Sequence, residues 1–146
     1  MDMERTIEFV SNHWIMSSGL FVVSLLLVQD LFDAMTRKYK AISPAGAVAL
    51  LNDERTIVVD VREPHEFAKG HIENARNISL GSLDEKIYEL EPYKNSPIII
   101  ACQQGTRSKE ACKKLVKQGF TQVYELSGGI LSWEDQKLPV SRKKNK

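Results

Sequence analysis

The sequence predicts an α/β domain, a parallel sheet with helices on both faces, preceded by one membrane-spanning helix. Three observations carry this. From residue 40 onward, short β-branched or apolar runs alternate with helix-like stretches, the pattern of strands joined by helical crossovers. Two of the runs, "TIVVDV" and "PIIIA", are almost wholly apolar, as strands buried on both faces must be. Residues 9–29 run for 21 positions without a formal charge; as a helix they span about 31 Å, enough to cross a hydrocarbon core.

The N-terminal segment, residues 1–36, therefore reads as an anchor with its span at about 9–29. "MDMERTIE" ahead of it is net acidic and no small-x-small site follows Val28, which argues against a secretory signal. One basic residue (Arg5) precedes the span, and Arg37, Lys38 and Lys40 closely follow it. By the Lys/Arg rule this places the C-terminal side in the cytoplasm, giving a single-pass protein of the cell (inner) membrane. "DLFDAMTRKY" is a connection or a continuation of the helix, and a helix packed on the domain is the alternative to a span.

The domain proper is expected over residues 40–140. "KAIS" opens it as a short strand, and Ser43-Pro44 is an N-cap followed by proline at the first helical position, starting "PAGAVALLND". "TIVVDV" is a buried strand and "EPHEFAKG" a short helix bounded by proline and glycine. "ARNIS" is a brief strand, and "SLDEKIYELEPY" is an amphipathic helix through Leu83, Ile87 and Leu90. "PIIIA" is the second buried strand. "SKEACKKLVKQG" is a helix with Ala111, Cys112, Leu115 and Val116 on one face and Gly119 at its end. "QVYEL" and "GILSWEDQ" close the domain as strand and helix, Gly128 and Gly129 turning into the latter with Trp133 in the core. Residues 141–146 form a basic tail, either solvated or drawn to anionic lipid.

Composition bounds the function. Residues 1–36 hold one basic and five acidic residues; the rest hold 19 basic and 14 acidic. A surplus of that size, so dispersed, argues against nucleic acid as a partner. The two cysteines, Cys102 and Cys112, are ten residues apart with no CxxC and no histidine pair at metal spacing. Neither a zinc site nor a disulfide scaffold is expected, nor any cofactor.

The chemistry concentrates in "ACQQGTRS", residues 101–108. In parallel sheets, ligands bind beyond the carboxyl ends of the strands, where loops feed helix N-termini, and Cys102 leaves "PIIIA" at such a place. The backbone amides of Gln103, Gln104, Gly105, Thr106, Arg107 and Ser108 can form a concave nest for an anion, and the next helix adds its partial positive end. Gly105 permits the tight bend. These effects favour thiolate over thiol, so Cys102 is expected to titrate below the usual value near 8.5 and to act as a nucleophile without a histidine base. Arg107 can fork onto an incoming oxyanion, or form a salt bridge that shapes the loop. Cys112, on an apolar helical face, reads as a buried structural thiol.

These motifs together resemble the single-domain rhodaneses, a family of sulfurtransferases. The resemblance covers about residues 40–140. "VVDVREPHEFAKGHIENARNIS" is similar to the family's Asp-Val-Arg, Gly-His-Ile and Ala-x-Asn-Ile motifs, "CQQGTRS" to its active loop, and "GFTQVYELSGGILSW" to its closing signature. It implies a five-stranded parallel sheet flanked by helices, with Cys102 as sulfur carrier. The implied partners are a small donor such as thiosulfate and a thiol or cyanide-like acceptor. Asp60 and Arg62, at the end of a buried strand, are expected to tie neighbouring loops together, and His71 to be a buried hydrogen-bonding residue. Phosphatases of the family have one more residue between cysteine and arginine; four separate Cys102 from Arg107 here, the sulfur-transfer form. A binding module recruiting a membrane-protein partner is the rival, and it does not require the intact loop.

Overall fold

The computed structural model describes residues 2–36 and 38–142; Arg37 and most of the basic tail lie outside these. The chain divides into two compact units, Met1–Arg37 and Lys38–Lys146.

The first unit is two helices. Helix α1 (Met3–Asn12) ends at His13, whose φ of −124° and ψ of 39° leave the helical region, and α2 (Trp14–Thr36) begins at once. The apolar stretch of membrane-crossing length runs from Trp14 to Phe32, 19 residues rather than 9–29. Absence of charge is not apolarity: "SNH" is uncharged but polar, and Ser11 donates to the Glu8 carbonyl at 3.0 Å, the local competition that disfavours helix interiors. Within α2 the large side chains are exposed, Leu20 at 70% and Leu26 at 60% among them.

The second unit is built on a five-stranded sheet. Its strands are β1 (Lys40–Ile42), β2 (Ile57–Asp60), β3 (Arg76–Asn77), β4 (Ile98–Ala101) and β5 (Val123–Leu126). They lie in the order β1-β5-β4-β2-β3, every pair parallel. β4 is central, and all its residues are wholly buried. Alternation along it sends Ile98 and Ile100 to one face with Leu83, Leu90 and Leu115. Ile99 and Ala101 go to the other with Phe67, Leu126, Ile130 and Trp133. Each fully buried isoleucine contributes about 1.5–3 kcal/mol. Cys102 continues this alternation and joins the first face.

The crossovers are α3 (Pro44–Leu51), α4 (Pro64–Lys69), α6 (Thr106–Lys117) and the closing α7 (Gly129–Asp135). Ser43 caps α3, its hydroxyl accepting the Gly46 amide at 3.1 Å. The single amphipathic helix expected over 82–93 is not formed. A 3-10 turn (Leu80–Ser82), one α-turn α5 (Leu83–Lys86) and a 3-10 stretch (Ile87–Tyr93) take its place. Pro92 lacks the amide an α-helix needs, and the apolar residues Ile87, Leu90 and Tyr93 recur every third position, the 3-10 repeat. α6 begins at Thr106, two residues before the expected start, because Gly105 turns the chain at φ +105°.

Candidate active site

Cys102 follows the last residue of the central strand, and α6 opens four residues later. Its Sγ is 1% exposed at the residue level and has two polar neighbours. The Gly105 amide donates to it at 2.9 Å, and Ser108 Oγ lies 3.4 Å away as acceptor for the thiol. The Ser108 hydroxyl in turn donates to the Gly105 carbonyl at 2.9 Å. Ser108 is itself buried, whereas Gln104 and Thr106 are exposed.

α7 takes two of the carbonyls that flank the sulfur. Ile130 N–H donates to the Cys102 carbonyl at 2.8 Å and Leu131 N–H to that of Gln103 at 3.2 Å. Gly129, at φ +62°, makes this approach possible: a Cβ there would lie 2.3 Å from the Cys102 oxygen and 2.7 Å from the Gln103 carbonyl. In the sequence the glycine pair reads only as a turn; its role against the loop is visible once α7 is docked.

On the other flank, Asp60 and Arg62 form a buried pair at 2.7 Å. Arg62 Nε spans both Asp60 oxygens at 3.0 and 3.1 Å, Nη2 also donates to the Gly70 carbonyl at 2.8 Å, and Nη1 reaches Gln103 Oε1 at 3.1 Å. One guanidinium thus joins the end of β2, the end of α4 and the Cys102 loop. Removing either charge would leave the other buried alone, a loss of about 3–5 kcal/mol.

Arg107 is held by a residue that the sequence reading passed over. Its two terminal nitrogens meet Glu66 at 2.7 and 2.9 Å in a bidentate pair. Those hydrogen bonds, helped by the Glu63 amide and the nearby charges of Arg107 and Arg62, hold the Glu66 carboxyl down at about 2, while Arg107 is raised. The two residues lie 41 apart in the chain, and nothing local marks Glu66 beyond its place in the capping box of α4, where it accepts from the Glu63 amide at 3.0 Å.

His71 is fully buried, stacks on Phe67 at 3.7 Å, and hydrogen-bonds the Phe67 carbonyl through Nδ1 at 2.8 Å. Its backbone pairs with Ser141. These bonds fasten α4 to the C-terminal segment rather than to the Cys102 loop. Cys112 is buried, and desolvation, reinforced by the charges of Glu125 and Cys102, pushes its thiol far above the ordinary range, which favours the protonated form. Glu125 is a further buried acid without a sequence signal; a Cβ on Gly105 would lie 3.1 Å from its Oε1.

Beside the loop is a depression of about 310 Å³ lined by Arg62, Glu66, Lys69, Gly70, Gln103, Ile130 and Glu134. A larger one, about 680 Å³, lies among Leu51, Ile57, Ile72 and Trp133. It contains none of the Cys102 loop, so the chemistry, not the volume, locates the site.

A family model for the rhodanese-like domain matches residues 43–136. The Escherichia coli (strain K12) protein YibN, uncharacterized, is 32% identical over 143 residues, covering 97% of this chain and 100% of that protein. Thiosulfate sulfurtransferase GlpE of Stutzerimonas stutzeri (strain A1501) is 39% identical over 95 residues, 65% of this chain and 84% of that one. A rhodanese-related protein from Thermoplasma volcanium superposes with a TM-score of 0.65 at 33% identity, covering 72% of this chain and 100% of that structure. The family match spans more than half the chain, over the same strands and loop that hold Cys102, and on that ground the chain belongs to the rhodanese-like domain family.

Proposed function

We propose that the protein is a membrane-anchored sulfurtransferase that carries sulfane sulfur on Cys102. The observation that supports this most is the setting of Cys102 Sγ, at the end of the central strand with the Gly105 amide 2.9 Å away and the start of α6 beyond it. An N–H aimed at sulfur and a helix start both favour a sulfur that bears negative charge.

In the first half-reaction the Cys102 thiolate attacks the outer sulfur of thiosulfate. The sulfur–sulfur bond of the donor breaks, sulfite leaves with the bonding pair, and Cys102 becomes a persulfide. In the second, cyanide or a thiolate attacks the outer sulfur of that persulfide, and the thiolate of Cys102 returns. The Gly105 amide holds the sulfur, and the loop of residues 103–108 wraps the transferred sulfur. Arg107 has five N–H donors, of which two meet Glu66; the others are available to the donor's sulfonate oxygens. Asp60, Arg62 and His71 hold the surrounding elements. The anchor places the domain on the cytoplasmic side.

The test is mass spectrometry of the full chain after incubation with thiosulfate. The mass of one sulfur atom is expected at Cys102, ping-pong kinetics follow from a covalent carrier, and Cys102→Ser abolishes label and turnover. Cys112→Ser retains both. A label that survives Cys102→Ser, or that maps to Cys112, overturns the mechanism, and phosphate-ester turnover without sulfur transfer would replace it.

A further inference from the structure

We infer that α1 is an interfacial helix, lying along the membrane surface at the entry of the span with its apolar face in the lipid; this rests on α2 crossing the bilayer. The break at His13 separates a segment that the charge-free run had merged with the span. Along α1, Met3, Ile7 and Val10 recur at helical spacing, and they are exposed at 80%, 66% and 47%. Glu8 and Asn12 lie away from this stripe by the same spacing, and Glu4 and Ser11 border it on the polar side. Two charged carboxylates exclude this helix from hydrocarbon, and an exposed apolar stripe disfavours water. The interface alone accommodates both.

What covers the stripe follows from the chain itself. One residue joins α1 to the apolar stretch that starts at Trp14, so α1 leaves the bilayer at the plane where the hydrocarbon ends. Phe9, the stacked His13 at 4.9 Å and Trp14 gather at this junction, the residue types that favour the headgroup level. The polar side holds Glu4 and Glu8 against a single Arg5. The partner is therefore the lipid surface through apolar area, without attraction to anionic headgroups.

The test uses the full chain in vesicles, with Cys102→Ser and Cys112→Ser as background and single nitroxides at Ile7→Cys, Val10→Cys, Glu4→Cys, Glu8→Cys and Leu25→Cys. Accessibility to oxygen relative to a water-soluble nickel complex reports depth. Leu25 is expected deep. Ile7 and Val10 should show ratios several-fold above Glu4 and Glu8, and the values should not change when phosphatidylglycerol replaces phosphatidylcholine. Equal, water-like values on both faces with Leu25 deep would overturn the interfacial placement while leaving the anchor standing. Depth decreasing smoothly from Val10 to Ile7 to Glu4, without alternation, would overturn it in favour of a longer span. Water-like values at Leu25 would refute the anchor and the inference with it.

Discussion

The two polar neighbours of the Cys102 sulfur respond differently to loss of its proton. The Gly105 amide donates in either state. Ser108 has a single hydroxyl hydrogen, now directed to the Gly105 carbonyl, and must turn it to the sulfur once the thiol no longer donates. Ser108→Ala removes that response, and a hydrogen bond to a charged group is worth about 1.5–3 kcal/mol. The rate of sulfur uptake from thiosulfate is expected to fall by roughly tenfold or more with unfolding behaviour little changed; an unaltered rate would exclude the hydroxyl from the step. Glu66 makes a second, separable prediction. Its folded value near 2 lies below the ordinary 4.5, so the charged pair stabilises the fold above pH 4.5 and loses that contribution as pH falls toward 2. With Arg107 34% and Glu66 24% exposed, screening reduces the contribution to about 1 kcal/mol. Urea titrations should show wild type exceeding Glu66→Gln at neutral pH, the gap closing in that acid window; a pH-independent gap would mean the charge of Glu66 is immaterial. The cysteine, its glycine and Arg107 are legible because they fall within six residues of the chain. Glu66 was not, since its partner lies on the far side of two strands.

Among the elements, α7 has the least sequence signal for what it does to the site. The local pattern marks a glycine-led helix with Trp133 on its buried side, and nothing in it reports that its first turn takes the carbonyls of Cys102 and Gln103. Gly129→Ala puts a methyl group against fixed backbone at 2.3 Å and also strains a left-handed φ. The expected loss is about 2–4 kcal/mol, with sulfur transfer falling further than stability accounts for. Gly128→Ala is the control: it is strained too, at φ +74° and with its Cβ 2.6 Å from Ser132 Cβ, but it meets only Ser132 within α7 and none of the Cys102 loop, so activity should fall no further than stability accounts for. Equal effects on activity would separate α7 from loop shape. The 82–93 segment illustrates a different loss. Its apolar positions face the core, but a period of three over so few residues is not separable from 3.6, and only Pro92 marks the sequence against an α-helix. At α6 the helix was recognised and its start was not, because the left-handed turn at Gly105 is a backbone event with no side-chain pattern.

At the scale of the molecule, the alternation of strands and helices revealed a parallel sheet, but the order of its strands is a matter of long-range pairing that no local pattern encodes. The proposed orientation in the membrane does have a local signal, the excess of Arg37, Lys38 and Lys40 after the proposed span over Arg5 before it. Protease added outside sealed spheroplasts should leave the domain intact and should digest it after lysis; digestion without lysis would reverse the topology. The order β1-β5-β4-β2-β3 bears on this too. The first strand of the domain pairs with the last, Ala41 opposite Glu125, so an incomplete domain has no finished sheet. During synthesis α2 leaves the ribosome long before β5, and Gly129 follows β5. In the proposed topology, a nascent chain therefore meets the translocation machinery while everything after its anchor is still unfolded. A domain that is not yet folded cannot resist being drawn across. On that proposal the few cations beside the span settle the orientation on their own, and the thiol acquires its chemistry only after its address has been decided.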